Sequence, residues 1–323
     1  MASAEAWRRG QEDMPAGLLN NSLKNIPHGP YMSVNNIEKD VRVQLAENVH
    51  ATLTDATFLQ LRDFILEKTG IHLGDGKKYF VELKLGELMA KKGYGSFEEY
   101  YYYLRQGMDP REEEDFFDTV TTNETYFFRD PPQLAFFEKE VLPAIRGGVS
   151  SGRRYRIWSA AASSGEEAYT MAMIAHNSIP GITGFQLQIT GTDISRACLN
   201  KAMAGSYPAY AVRLIPESYF QRYFTKRQDE FVVNREVRSL VKFEKANLVE
   251  PATMRKYTGM DLIFCKNVFI YFPEPVRKAI AEGFHRSLAP GGCLVLGPSE
   301  YLKDFEKLFS CQRLGQCVYY RKI

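Results

Sequence analysis

Between Thr54 and Gly70 the apolar positions Phe58, Leu61 and Ile65 recur at intervals of three and four residues, the spacing of one stripe along a helix, and Gly70 supplies a stop. A second stripe, Val81, Leu85 and Leu88, closes at Gly93. Further on, "DPREEEDFF" offers Asp109 as an N-cap, Pro110 for the first turn and Glu112 as a capping-box acid. Residues 51–127 are therefore expected to form a small all-helical domain.

From Pro143 the texture changes. "YRIWSA", "FQLQITGTD", "VKFEKANL", "MDLIFCKNV" and "GGCLVLGPS" are short apolar runs separated by helical stretches. Strands alternating with helices predict an α/β domain over residues 128–323, a doubly wound, mostly parallel sheet with helices on both faces. One segment breaks that rhythm: "YPAYAVRLIPESYFQRYFTKRQDEFVVNREVRSLVKF" holds two prolines, many aromatics and the alternating "EFVVNREV", so residues 207–245 read as a small inserted β-subdomain. Residues 1–50 show no sustained periodicity and read as a flexible N-terminal extension to which no chemistry is assigned.

Composition narrows the function classes. The 41 basic and 39 acidic residues leave a formal charge of +2, which gives no global field for gripping nucleic acid. The five cysteines, Cys198, Cys265, Cys293, Cys311 and Cys317, form no CxxC pair and have no histidine at metal-ligand spacing, so no metal is expected. An odd cysteine count suits a reducing compartment. The start "MASAEAWRRGQEDMPAG" lacks the apolar core of a signal peptide, and no later run reaches the roughly 18 apolar residues of a spanning helix. A cytoplasmic protein without direct membrane insertion is expected.

In doubly wound folds the ligand lies beyond the carboxyl ends of the strands, where strand order reverses. The first strand end, "RIWSAAASSGEEAYTMAM", runs from Ala160 through a turn with a single glycine, Gly165, into Glu166 and Glu167. A dinucleotide calls for GxGxxG at this place, and a nucleoside triphosphate for GxxxxGK[ST]; neither is present. Two carboxylates repel a pyrophosphate but complement a cation, and S-adenosylmethionine is a phosphate-free nucleoside with a sulfonium and an ammonium group. The same residues also read as a capping box, Ser163 with Glu166 or Ser164 with Glu167, which needs no ligand.

Two further strand ends extend the site. Asp193 in "ITGTDIS" comes 28 residues after Gly165, close to the spacing at which an acid takes ribose hydroxyls, and it equally suits the N-cap of a following helix. In "FEKANLVEP", Asn247 can read an adenine edge while Leu248 covers the ring; an Asn at a strand end is otherwise a turn residue. The fourth strand runs into "FCKNVFIYF", which carries Lys266, Asn267 and Tyr271 and has no NPPY-like run for holding a planar nitrogen substrate.

The loop "TTNETYFFRD" sets Asn123, Thr125 and Arg129 between the two domains. Arg129 offers a permanently charged planar fork for a carboxylate, and Tyr271 a phenolic hydroxyl. A carboxylate is already ionised at neutral pH and attacks a methyl sulfonium without a general base. The five histidines, His28, His50, His72, His176 and His285, lie outside all these motifs. Taken singly, Tyr271 reads as a core aromatic and Arg129 as half of a surface ion pair.

Together, "TTNETYFFRD", "RIWSAAASSGEEAY", "GTDIS", "YFQRYF", "NLVEP", "FCKNVFIYF" and "LAPGGCLVLGPSE" resemble, in this order, the chemotaxis receptor methyltransferases of the CheR type, over residues 54–323. The resemblance implies a helical N-terminal domain and a Rossmann-like class I methyltransferase domain with an inserted β-subdomain. The activity it implies is transfer of a methyl group from S-adenosylmethionine to glutamate carboxylates of chemoreceptors, giving glutamate γ-methyl esters and S-adenosylhomocysteine. By the same resemblance Asn123, Thr125, Arg129, Ala160, Gly165, Glu166, Glu167, Asp193, Asn247, Leu248, Lys266 and Asn267 line the cofactor pocket, with Arg129 and Tyr271 near the transferred methyl.

Two positions depart from the family pattern: Lys266 stands where arginine is common, and Ala168 where proline is common. The short connection between "QRYF" and "EFVVNREV" implies recognition independent of a receptor's C-terminal pentapeptide tether. Lys77, Lys84 and Lys91, spaced by seven, form a stripe that suits the acidic methylation helices of receptors and equally suits a solvated face. A catalytically weak, cofactor-binding signalling adaptor is the alternative function.

Overall fold

The computed structural model describes residues 51–149, 152–303 and 305–323; the expected extension 1–50 lies outside them. Four helices come first: α1 (Asp55–Thr69), α2 (Lys78–Lys92), α3 (Phe97–Gln106) and α4 (Pro110–Val120). Thr54 caps α1 by accepting from the Thr57 amide, and Gly70 and Gly93 end α1 and α2 in the left-handed conformation. Phe58, Leu61, Ile65, Val81, Leu85 and Leu88 are all buried, and they share one core with Phe97, Tyr100, Phe116 and Phe117.

Asp109 caps α4 through the amides of Arg111 and Glu112, yet Glu112 does not complete the expected capping box. Its carboxylate turns inward to accept from the Tyr100 hydroxyl at 2.7 Å and to pair with Lys92 at 2.9 Å. A buried phenol needs an acceptor more than an amide near solvent does, so the interior claims the acid.

After a bent helical stretch, α5 (Pro131–Phe136) and α6 (Leu142–Val149), the sheet begins with β1 (Tyr155–Ala160), α7 (Glu166–Ser178), β2 (Leu187–Asp193) and α8 (Arg196–Ala204). Three short strands, β3 (Ser206–Pro208), β4 (Phe224–Arg227) and β5 (Glu230–Val233), make a separate antiparallel sheet in the order β3-β5-β4. The chain then returns through β6 (Val241–Lys245), β7 (Met260–Cys265), α9 (Glu274–Ser287) and β8 (Leu288–Leu296), and closes with the hairpin β9 (Phe309–Leu314) and β10 (Cys317–Lys322).

The main sheet has the order β6-β2-β1-β7-β8-β10-β9, with the first five strands parallel and the hairpin antiparallel. Strand order reverses between β1 and β7, which is where such a fold opens a ligand crevice. Alternate residues feed two cores: Ile157, Leu262, Phe264 and Val295 on one face, Trp158, Ile263, Cys265 and Leu294 on the other. Burial on both faces explains why these strands read as nearly continuous apolar runs.

The inserted sheet ends at Val233, whereas the expected range 207–245 runs on to include β6, which pairs with β2 through Ile189 and Val241. Both stretches show the same short alternation, so sequence does not mark where one sheet hands over to the other. The helical domain packs over the carboxyl ends of the strands. Asn247 Nδ2 donates to the Lys68 carbonyl at 2.8 Å, the His72 amide donates to the Tyr271 carbonyl at 2.8 Å, and Ser195 Oγ donates to Asp118 at 2.7 Å.

Candidate active site

A cavity of about 220 Å³ lies where β1, β2, β6 and β7 end, roofed by the helical domain. Its wall includes Asn123, Thr125, Arg129, Glu167, Asp193, Asn247, Leu248, Lys266, Asn267 and Tyr271, so ten of the residues singled out by sequence meet at one place. Among the described residues six non-glycine positions have positive φ, and five of them, Phe128, Asp130, Ala161, Ser163 and Asn267, lie on or beside this cavity. Such backbone costs of order 1–3 kcal/mol per residue, and it persists where surrounding structure over-determines it.

Those determinants are visible around the loop 121–130. Phe127 is fully buried; its amide donates to the Ala211 carbonyl at 3.1 Å, and its ring meets Tyr207 and Phe224 edge-on. The Phe128 amide donates to Thr170 Oγ1 at 3.2 Å, Tyr210 OH to the Thr125 carbonyl at 3.1 Å, and Ser163 Oγ to the Asn123 carbonyl at 3.1 Å. Arg129 is held between two left-handed residues with its side chain only 29% exposed. One of its donors goes to the Glu124 carbonyl at 2.9 Å, and its guanidinium rests 5.5 Å from the Tyr126 ring centre.

At the end of β7, Lys266 is buried between two carboxylates, 3.1 Å from Asp130 Oδ2 and 3.2 Å from Glu167 Oε2. The contact with Asp130 is an ion pair without hydrogen-bond geometry, since that oxygen has no hydrogen-bond partner. Ser159 Oγ donates to Glu167 Oε1 at 2.7 Å, which fixes the other end of the acid. Lysine thus supplies the charge at this position while making point contacts instead of a fork.

Asp193 is buried at the end of β2. Its Oδ2 accepts from the Ser163 amide at 2.8 Å and its Oδ1 from the Ser195 amide at 2.9 Å, and burial raises its pKa against the pull of those amides. The helix cap expected of Asp193 is provided by Ser195, whose hydroxyl accepts from Cys198. A carboxylate oxygen has more than one acceptor site, so Asp193 keeps acceptor capacity on the cavity wall.

Ala160, Gly165 and Glu166 are not on the wall; Ala161, Ala162 and Ser163 take their place. Gly165 is required by packing: a Cβ there would meet Ala202 Cβ and Phe243 Cζ at 2.8 Å, and φ is +94°. Neither expected capping box forms, because Gly165 itself is the N-cap of α7 and makes no side-chain bond. Glu166 is turned into the interior, where Ser164 Oγ donates to it at 2.8 Å, and burial pushes its pKa up to about 7. Adjacent helical residues point about 100° apart, so only one of the two acids can face the cavity.

Of the lysine stripe, Lys77 sits on the cavity rim in a short 3-10 turn, whereas Lys84 and Lys91 lie on the exposed face of α2. Sequence reasoning missed the roof: Ile71, His72 and Leu73 line the cavity from the segment between α1 and α2, and Phe80 from the first turn of α2. The available signal was the apolar pair Ile71 and Leu73 directly after a helix stop.

Comparison with known proteins gives the same two-part division. Residues 56–121 match the CheR methyltransferase all-alpha domain, and residues 123–317 match the CheR methyltransferase SAM binding domain. The chain belongs to the CheR methyltransferase family. It is 35% identical to chemotaxis protein methyltransferase 2 of Vibrio cholerae over 271 residues, covering 84% of this chain and 94% of that protein. Chemotaxis protein methyltransferase 1 of Pseudomonas aeruginosa is 35% identical, with 83% and 98% covered. The Borreliella burgdorferi chemotaxis protein methyltransferase is 33% identical, with 81% and 93% covered.

This CheR methyltransferase uses S-adenosylmethionine. The donor set fits that group: the acids Glu124, Glu167 and Asp193 on the wall, no phosphate-cradling glycine turn, and the one glycine of the β1–α7 turn filled against Phe243. Among the described residues no cluster of three His, Cys, Asp or Glu could hold a metal ion, and no helix is long and apolar enough to cross a membrane.

Proposed function

We propose that this chain esterifies glutamate side-chain carboxylates of chemoreceptors, giving glutamate γ-methyl esters and S-adenosylhomocysteine. The observation that carries the reading is Arg129, a guanidinium with most of its donors uncommitted, sharing one cavity wall with Tyr271. S-adenosylmethionine, when bound, supplies an electrophilic methyl group on a sulfonium. Asn123, Thr125, Glu167, Asp193, Asn247, Leu248, Lys266 and Asn267 would hold it.

Arg129 grips and orients the acceptor carboxylate, and the Tyr271 hydroxyl donates a second hydrogen bond. The acceptor enters already ionised, so no group in the cavity has to remove a proton. The Lys266 bridge holds Asp130 and Glu167 in place, with Arg129 Nε 4.0 Å from Asp130 as the second positive charge, so the Arg129 loop does not have to reorganise as the acceptor's charge is consumed. The roof at Ile71, Leu73 and Phe80 excludes water, which strengthens every charge contact beneath it.

The exposed Lys84 and Lys91, with Lys77 at the rim, offer a basic surface to an acidic methylation helix. In the inserted sheet β4 and β5 are joined by only Gln228 and Asp229, and that short turn supports recognition without a pentapeptide tether. The test is incubation with methyl-labelled S-adenosylmethionine and a cytoplasmic chemoreceptor fragment, followed by mild base. Release of the label as methanol is expected; label that stays on the protein through base treatment would refute esterification.

A further inference from the structure

Glu300 lies in the turn after β8, is buried, and belongs to none of the strand-end motifs that face the cavity. Its carboxylate accepts three backbone amides. Oε2 takes Gly297 N at 2.7 Å and Asn267 N at 2.8 Å, and Oε1 takes Ile270 N at 3.2 Å. Two of these donors belong to the segment that runs from β7 to Tyr271, so a side chain from a later strand end grips that segment at two points.

The segment cannot hold itself. Asn267 has a φ of 59°, a left-handed conformation that is unfavourable for a residue with a side chain. Phe269–Tyr271 is a single 3-10 turn, a structure with poor internal hydrogen bonding. Yet Lys266, Asn267 and Tyr271 all contribute to the cavity wall. Gly297 closes the clamp from behind: a Cβ there would sit 2.6 Å from Glu300 Oε2 and 3.0 Å from Asn267 N.

We infer that Glu300 is a positioning residue of the methyl-transfer site, the carboxylate that holds Lys266, Asn267 and Tyr271 in place for the cofactor. The inference rests on this cavity's being the S-adenosylmethionine pocket, and it is independent of which carboxylate is methylated. Glu300 itself touches neither cofactor nor acceptor; it acts through the backbone of the segment it grips.

The experiment is calorimetric titration of the full chain with S-adenosylhomocysteine, with melting temperature measured in parallel. Glu300→Ala is expected to weaken binding about ten- to hundredfold, the loss from freeing amides bound to a charged acceptor. Glu300→Gln retains an acceptor oxygen for two of the three amides and should restore most of the affinity. Gly297→Ala displaces the carboxylate and should weaken binding alone, yet add much less in a Glu300→Ala background, where the 2.6 Å clash is gone and only the 3.0 Å approach to Asn267 N remains. Phe309→Leu, in the core beneath, should lower the melting temperature and leave affinity unchanged.

Wild-type affinity in Glu300→Ala would overturn the inference, as would full additivity of Gly297→Ala with it. If Glu300→Ala fails to fold, Glu300→Gln and Gly297→Ala carry the comparison, and wild-type affinity in Gly297→Ala overturns the inference equally. A wild-type chain that binds no S-adenosylhomocysteine would overturn the pocket assignment itself, whereas absence of base-labile label on a receptor leaves this test untouched.

Discussion

Glu166→Gln separates the two acids of the β1–α7 turn. Glu166 is buried, with its pKa pushed from 4.5 up to about 7, chiefly by desolvation. Between those values the folded chain holds a proton that the unfolded chain has released, so stability falls as pH rises from about 4.5 to about 7 and is level above that. A shift of this size corresponds to about 3 kcal/mol. Glutamine keeps an acceptor for Ser164 and does not titrate. The variant should therefore match the wild type in urea unfolding near pH 4.5 and exceed it by about 2–3 kcal/mol near pH 8. Affinity for S-adenosylhomocysteine should be unchanged, since Glu166 is off the cavity wall. A stability difference that is the same at both pH values, or a lost affinity, would refute the reasoning.

Other changes test the remaining parts of the site. Arg129→Ala should lower kcat/KM about 100- to 1,000-fold, the size typical of losing a charge-stabilising donor, with the melting temperature preserved; near-normal turnover would remove Arg129 from its role. Lys266→Met removes the cation shared by Asp130 and Glu167, leaving Asp130 only the 4.0 Å approach of Arg129 and Glu167 only the Ser159 hydroxyl, which should cost about 3–5 kcal/mol in denaturant unfolding, while Lys266→Arg should recover most of it; a loss under about 1 kcal/mol would contradict the buried bridge. Lys84→Glu with Lys91→Glu should raise KM for the receptor fragment in a salt-sensitive way and leave cofactor affinity alone, as steady-state kinetics at two ionic strengths would read. Phe127→Ala should destabilise the chain by about 3–5 kcal/mol.

The α/β order and the strand-end residues were legible because each chemistry-bearing side chain directly follows an apolar run, and strand ends in this fold converge by topology. What was not legible depends on rotation and docking. Glu166 and Glu167 are neighbours in sequence, and only the start of α7, fixed by Gly165, decides which one faces the cavity. The roof from Ile71 to Phe80 belongs to a domain whose position depends on contacts such as that of Asn247 with Lys68, and no local pattern encodes them. The β9–β10 hairpin went unread although Leu314, Gly315 and Cys317 bracket a tight turn, because its strands alternate weakly with charged residues. Glu300 was part of a quoted motif, but its partners are backbone amides more than thirty positions away by chain for Asn267, and amides leave no mark in a sequence.

The attachment of the loop 121–130 to the inserted sheet sets a limit on how far this enzyme can be cut down. Phe127 is gripped by Tyr207, Ala211 and Phe224, all contributed by the excursion between α8 and β6. A minimised chain that joins those two elements directly would retain the strands of its main sheet and the core around Trp158 and Ile263, but the opposite core would lose Tyr207, Tyr223, Phe224 and Val237. It would also lose the bracket on which the arginine loop hangs, so the excursion is part of the frame of the cavity and cannot be discarded as an ornament on it.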